Sequence, residues 1–319
     1  MIQSELLAII DRAASNGWAE LDLSWKGLIE IPEEISSLFH LRRINLRGNQ
    51  IKEIPNSLHK LSNLREIDLR GNQFREIPEV IFRLSNLTSL YLSHNQIREI
   101  PDTVSNLSTL TLLYLSHNQI RKVSEIIFNL SSLTTLDLSS NHITQIPDKI
   151  SNLSNLTTLD LSSNYIKEIS DAIFNLSSLT TLDLSSNHIT QIPDKISNLS
   201  NLTTLDLSSN YIKEISDAIF NLSSLTTLDL SSNHITQIPN KISNLSNLTT
   251  LDLSSNHITQ IPIEILNSRN IKDLFNYLDQ LYMNGTRPLH EAKLLLIGQG
   301  SVGKTSLIER LINNHYDTN

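Results

Sequence analysis

The chain has 319 residues, no cysteine and a formal net charge of −8. That length allows one or two domains, and the missing cysteine excludes a disulfide framework and favours a reducing compartment. No basic face suggests nucleic-acid binding, no apolar run approaches the ~20 residues that cross a bilayer, and MIQSELLAIIDRAASNG lacks the basic start and long apolar core of a signal peptide. A cytoplasmic protein without a membrane span is therefore expected.

Ser4 to Ala14 reads as a helix, with Ser4 as its cap, Glu5 in the first turn and Gly17 past its end. Leu6, Leu7, Ile9, Ile10, Ala13 and Ala14 form a broad apolar stripe. Residues 1–17 are expected to cap whatever follows.

From Trp18 onward the phrase L-x-x-L-x-L-x-x-N returns every 23 residues. It closes on Asn49, Asn72, Asn95, Asn118, Asn141, Asn164, Asn187, Asn210, Asn233 and Asn256, with Lys26 holding that place in the first copy. These eleven units are numbered here as coils 1 to 11. A period in the twenties with this signature resembles the leucine-rich repeat family. Within coil 6, Leu136 and Leu138 alternate with Thr135, Asp137 and Ser139, the pattern of a strand with one buried side. Leu133, Ile143, Ile146, Ile150 and Leu153 add apolar contacts, and Pro147 suits an irregular return arm. A single coil has no interior of its own, so neighbours must stack. The expected fold is α/β: a right-handed leucine-rich-repeat solenoid, or horseshoe, over 18–267, with a parallel concave sheet and the N-terminal capping helix. The asparagines should form a ladder of buried amides at the bend.

Coils 2 to 5 differ from one another. Their expected concave positions include Arg43, Arg47, Glu66, Arg70, Tyr91, His94, Tyr114 and His117. Tyr and Arg dominate binding hot spots, so a protein or peptide partner on this face is set against a merely solvated sheet face. Coils 6 to 11 are nearly uniform, and residues 133–178 and 179–224 are the same 46-residue string. Copies this alike suggest a spacer or a repetitive face. Residues 133–262 hold 12 acidic and 5 basic side chains. Asp137, Asp160, Asp183, Asp206, Asp229 and Asp252 share one strand position. Such a row repels by roughly 0.8 kcal/mol per neighbouring pair in bulk water. It reads either as a track for a basic partner or cations or, preferably, as filler tolerated by solvent. His94 with His117, and His234 with His257, lie one coil apart, but no third zinc ligand is evident and they read as surface histidines.

The register would place another coil at Ile271, yet Asn276 falls where an apolar residue is needed. From Ser268 the spacing of Ile271, Leu274, Phe275, Leu278 and Leu281 is helical, and Gly285 can end it. Residues 268–290 are therefore read as a C-terminal cap or linker. Then Leu294–Ile297 reads as a buried strand, and Gly298-Gln299-Gly300-Ser301-Val302-Gly303-Lys304-Thr305 fits G-x-x-x-x-G-K-[ST] ahead of helical spacing. In such a P-loop, Gly298, Gly300, Ser301, Val302, Gly303 and Ser306 line the phosphate cradle, Lys304 reaches the β- and γ-phosphates, and Thr305 ligates Mg.

A leucine-rich solenoid followed by LYMNGTRPLHEAK and LLLIGQGSVGKTSL resembles the Roco family. The resemblance implies a Ras-like Roc GTPase domain that uses GTP/GDP and Mg, intracellular signalling, and a homodimer formed through domains absent here. It also implies a protein-interaction scaffold that regulates the adjoining GTPase. Residues 291–319 supply one strand, one loop and one helix, a truncated P-loop unit without the segment that reads guanine. The chain as given is expected neither to hydrolyse GTP nor to hold it firmly, while an intact parent would be a GTPase. The alternative is a stand-alone protein-binding repeat module with a vestigial P-loop.

Overall fold

The computed structural model describes residues 3–266 and 271–284. The chain divides into two compact units, 1–278 and 279–319. Of the second, the described residues are 279–284, the end of one helix.

In the first unit, helix α1 (Gln3–Ser15) precedes an eleven-stranded sheet in sequential order. Its strands are β1 Glu20–Asp22, β2 Arg43–Asn45, β3 Glu66–Asp68, β4 Ser89–Tyr91, β5 Leu112–Tyr114, β6 Thr135–Asp137, β7 Thr158–Asp160, β8 Thr181–Asp183, β9 Thr204–Asp206, β10 Thr227–Asp229 and β11 Thr250–Asp252. All pairings are parallel, and each residue faces its own counterpart 23 positions away, as Leu136 faces Leu159. Short strands suffice because only the L-x-L phrase must alternate. In coil 6, Leu133, Leu136, Leu138, Ile143, Ile146, Ile150 and Leu153 are all buried. Burial of side chains of this size stabilises by about 1.5–3 kcal/mol each, and only stacking achieves it.

The return arm is more regular than its sequence suggests. Ten five-residue 3-10 helices occupy it, from Glu33–Ser37 to Asn240–Asn244. Proline precedes most of them with φ already near the required value, as at Pro147 (φ −62°). Where serine replaces it, the hydroxyl accepts from the backbone N–H two residues on, as Ser170 does from Ala172 (3.3 Å). Phe82, Phe128, Phe174 and Phe220 are buried on alternate arms.

The asparagine ladder forms as expected. Asn187 Oδ1 accepts from Ile166 N–H of the preceding coil (3.0 Å). Its Nδ2 donates back to Leu161 O (3.0 Å) and to its own Leu184 O (3.1 Å). The same bridging pattern holds from Asn49 to Asn256. A second ladder runs beside it, in which Thr134 Oγ1 donates to Thr111 O (3.1 Å) and Thr157 Oγ1 to Thr134 O (3.0 Å). Each bond contributes roughly 1 kcal/mol net.

Helix α1 seals the first coil with Leu6, Ile10 and Ala13. Ser4 lies within the helix, which already includes Gln3, so it is not the cap. Gly17 (φ +61°) lets Trp18 N–H reach Ala13 O (3.0 Å) and close the C-terminus. At the other end come α2 (Ile263–Leu266) and α3 (Ile271–Asn284). Leu274 and Leu278 are buried, and Tyr277 Oη donates to Gln260 O (3.5 Å). The helical spacing read from Ile271 thus holds, and among the described residues β11 is the last strand of the sheet.

Candidate protein-interaction surface

Three rows of side chains stand on the solvent face of the sheet, alternating with the buried leucines. The first runs Glu20, Arg43, Glu66; the second Asp68, Tyr91, Tyr114 and on to the aspartates; the third Arg47, Arg70 and then the buried Ser93. In coils 1 to 5 these rows lock together. Arg43 bridges Glu20 (3.5 Å) and Glu66 (3.2 Å). Arg70 Nε donates to both oxygens of Asp68 (3.0 and 3.1 Å), and its guanidinium lies 4.8 Å over the Tyr91 ring. Tyr91 stacks on Tyr114 at 5.0 Å and 15°. Burial raises the Tyr91 hydroxyl pKa, and the hydrogen bonds that Arg70 donates to Asp68 raise that of Arg70. The result is one half-buried run of cation and rings with its rotamers already held.

His94 and His117 do not belong to those rows. They sit in the turn beyond the strand, in the left-handed region (φ 57° and 52°), where Gly48 and Gly71 stand in coils 2 and 3. There they are exposed and stack on each other at 4.1 Å. Partial burial, the neighbouring His117 and the charges of Arg47 and Arg70 lower the pKa of His94. Trp25 takes the same turn position in coil 1 and was not anticipated from sequence. Its ring lies over Gly48, where a Cβ would come within 2.3 Å of it. The indole stays 70% exposed, with Arg47 6.0 Å from its ring centroid.

In the later coils the aspartate row has a structural task beyond filler. Ser139 N–H and Oγ–H both donate to Asp137 Oδ1 (2.9 and 2.7 Å), and Ser162 and Ser185 do the same with Asp160 and Asp183. Ser208, Ser231 and Ser254 give their N–H to Asp206, Asp229 and Asp252. Each carboxylate thereby satisfies an amide just past the strand.

Residues 21–137 match the leucine-rich repeat region pattern, and 131–189, 154–212 and 200–258 match the leucine rich repeat. A leucine-rich repeat protein of Leptospira interrogans has 30% identity, covering 82% of this chain and 73% of that one, with a TM-score of 0.72. The chain belongs to the leucine-rich repeat proteins. Its fold is also similar to the internalin inlF of Listeria monocytogenes (25% identity, 84% and 92% covered, TM-score 0.61). The repeat ectodomain of the Arabidopsis receptor kinase HAESA, solved with an IDA peptide hormone, is a third (30% identity, 74% and 42% covered, TM-score 0.64). The chain spans less than half of that ectodomain. No curated protein sequence matches the chain.

Within the leucine-rich repeat, the aspartate row carries an electrostatic signature. Burial foremost, opposed by the serine hydrogen bonds and supplemented by neighbouring carboxylates, raises the pKa of Asp160, Asp183 and Asp229. A raised folded pKa means the folded state holds its proton longer than the unfolded one. These groups therefore contribute stability that is full below the ordinary carboxylate pKa and lost as pH rises through the folded value. Asn45 shows that an amide can fill the turn, since its Oδ1 accepts from Arg47 N–H (3.1 Å). Asp183→Asn should thus melt higher than the parent at neutral pH, with the difference vanishing in acid below the carboxylate range. Thermal melts at both pH values check this; a lower neutral melting point for the variant would contradict it.

Among the described residues no group of three or more His, Cys, Asp or Glu could hold a metal ion. No described helix is long and apolar enough to cross a membrane. The P-loop residues Gly298 to Ser306 lie outside the described residues.

Proposed function

We propose that the chain is a protein-interaction scaffold that docks an extended protein segment along the concave face of its sheet. Coils 1 to 5 supply the specificity. The single observation that carries this is the run Arg70–Tyr91–Tyr114, a stacked and ion-paired set that pays little ordering entropy on binding. Arg43, Arg47, His94 and His117 form its rim. The aspartates Asp137 to Asp252 extend an acidic margin beyond it. HAESA, solved with a bound peptide hormone, supports the reading that a leucine-rich repeat domain accepts a peptide.

The test is selection of binders from a displayed random-peptide library. Selected peptides should lose roughly 30-fold in affinity or more with Arg70→Ala or Tyr91→Ala, as hot-spot truncations do. They should be indifferent to Asp229→Asn. Peptides that bind both early-coil variants as tightly as the parent would sink the assignment.

A finer reading rests on the pattern Gly298–Thr305. On it, the scaffold regulates an adjoining Roc-type GTP-binding domain in cytoplasmic signalling, with GTP/GDP and Mg held through Lys304 and Thr305 and dimerisation through further domains. On this reading, calorimetry on the 319-residue chain is expected to show no guanine-nucleotide binding. Binding abolished by Lys304→Ala would overturn that expectation.

A further inference from the structure

The residue after each ladder asparagine forms a separate feature. In coils 6 to 11 it is His142, Tyr165, His188, Tyr211, His234 and His257. Their ring centroids follow one another at 5.8, 5.6, 5.7, 5.6 and 5.6 Å. All are exposed except His188, which is half-buried. The backbone fixes the file, since Tyr165 N–H donates to Ile143 O and His188 N–H to Ile166 O (both 2.8 Å). The fold does not require rings there, because Gln50, Gln73, Gln96 and Gln119 fill the place in coils 2 to 5. Rings were added, in uninterrupted series, only where the coils are near-copies.

We propose that this file binds a linear, uncharged β-linked polysaccharide, one sugar ring against each side-chain ring. Four observations support it. The spacing is close to the advance of one pyranose along an extended chain. From His142 to His234, neighbouring rings are tilted by 40° to 61°, so that histidine and tyrosine alternate. That two-coil alternation suits a β-1,4-linked chain, whose successive sugars are turned over. Exposed hydroxyls recur close to the rings in sequence, Ser163 two residues before Tyr165 and Thr144 two residues after His142, while Lys167 and Lys213 hold the latter place in the tyrosine coils. Finally, 12 acidic against 5 basic side chains in residues 133–262 repel the polyanions that also stack on rings. A surface repeated without variation fits a ligand that itself repeats, and weak contacts then multiply through avidity. This site lies off the sheet face and does not rest on the peptide reading.

The test is calorimetry with cellohexaose and fully N-acetylated chitohexaose, the corresponding tetramers and dimers, and a single-stranded oligothymidylate. At least one hexasaccharide should bind, roughly tenfold or more tighter than its dimer. Tyr165→Ala with Tyr211→Ala should cost about tenfold or more, while Tyr→Phe at both should retain binding, with unchanged melting in each case. Deleting residues 179–224 removes an identical copy and preserves every coil-to-coil junction, leaving four rings in the file. That variant should bind the hexasaccharide no better than the parent binds a tetrasaccharide. Absence of binding by both hexasaccharides, binding indifferent to the double alanine variant, or binding of the oligothymidylate alone would each overturn the proposal.

Discussion

Asn187→Ala should destabilise the protein by about 3–5 kcal/mol, one of the largest effects open to a single polar residue here. The substitution removes the acceptor of Ile166 N–H and the donor to Leu161 O, Leu184 O and Ser185 O. Asn187 is buried, so water cannot take over without opening the bend. Orphaned buried groups cost about 1–3 kcal/mol each, more than the bonds themselves are worth. Two of the lost bonds join coil 8 to coil 7, so the damage falls on coupling between neighbours, the quantity that holds a solenoid together. Chemical denaturation measures the loss. The control is Asn155→Ala: Asn155 is exposed and makes a single bond, to Ser131 O (2.9 Å), so its loss should cost under ~1 kcal/mol. Equal costs for the two asparagines would refute the ladder as the seam of the fold.

Phe174→Ala should cost about 3–5 kcal/mol, at the upper end of that range. The ring is 1% exposed and sits on the return arm of coil 7. The coils on either side carry Ser151 and Ser197 at the equivalent place, and the next phenylalanines, Phe128 and Phe220, are two coils away. No ring from an adjacent coil stands ready to fill the void, and the cost of a core truncation follows the cavity that remains. Phe174→Leu should recover most of the loss, since it restores volume in an apolar site. Denaturation midpoints for the pair decide it; equal midpoints for Ala and Leu would show that the arm is not packed around the ring.

The architecture was legible from residues alone because the period does the work. When a chain repeats every 23 positions, the neighbour of each side chain is its own copy. Leu136 against Leu159 and the row of asparagines at the bend could therefore be placed without coordinates, and so could the helix across the first coil and the helix from Ile271. Features that depend on backbone dihedrals could not be placed. Spacing does not distinguish a 3-10 arm from an irregular one, because Pro147 and Ile150 satisfy both. Nor does it reveal that the residue before each asparagine turns left-handed, which moved His94 and His117 off the strand face and set Trp25 over Gly48. Burial was decided only by the stack as well: it gave Asp137 and its copies the task of receiving Ser139 and its equivalents. Periodicity thus determined who stands next to whom, and the folded backbone determined which way each side chain faces, because direction depends on φ and ψ while adjacency depends only on the count.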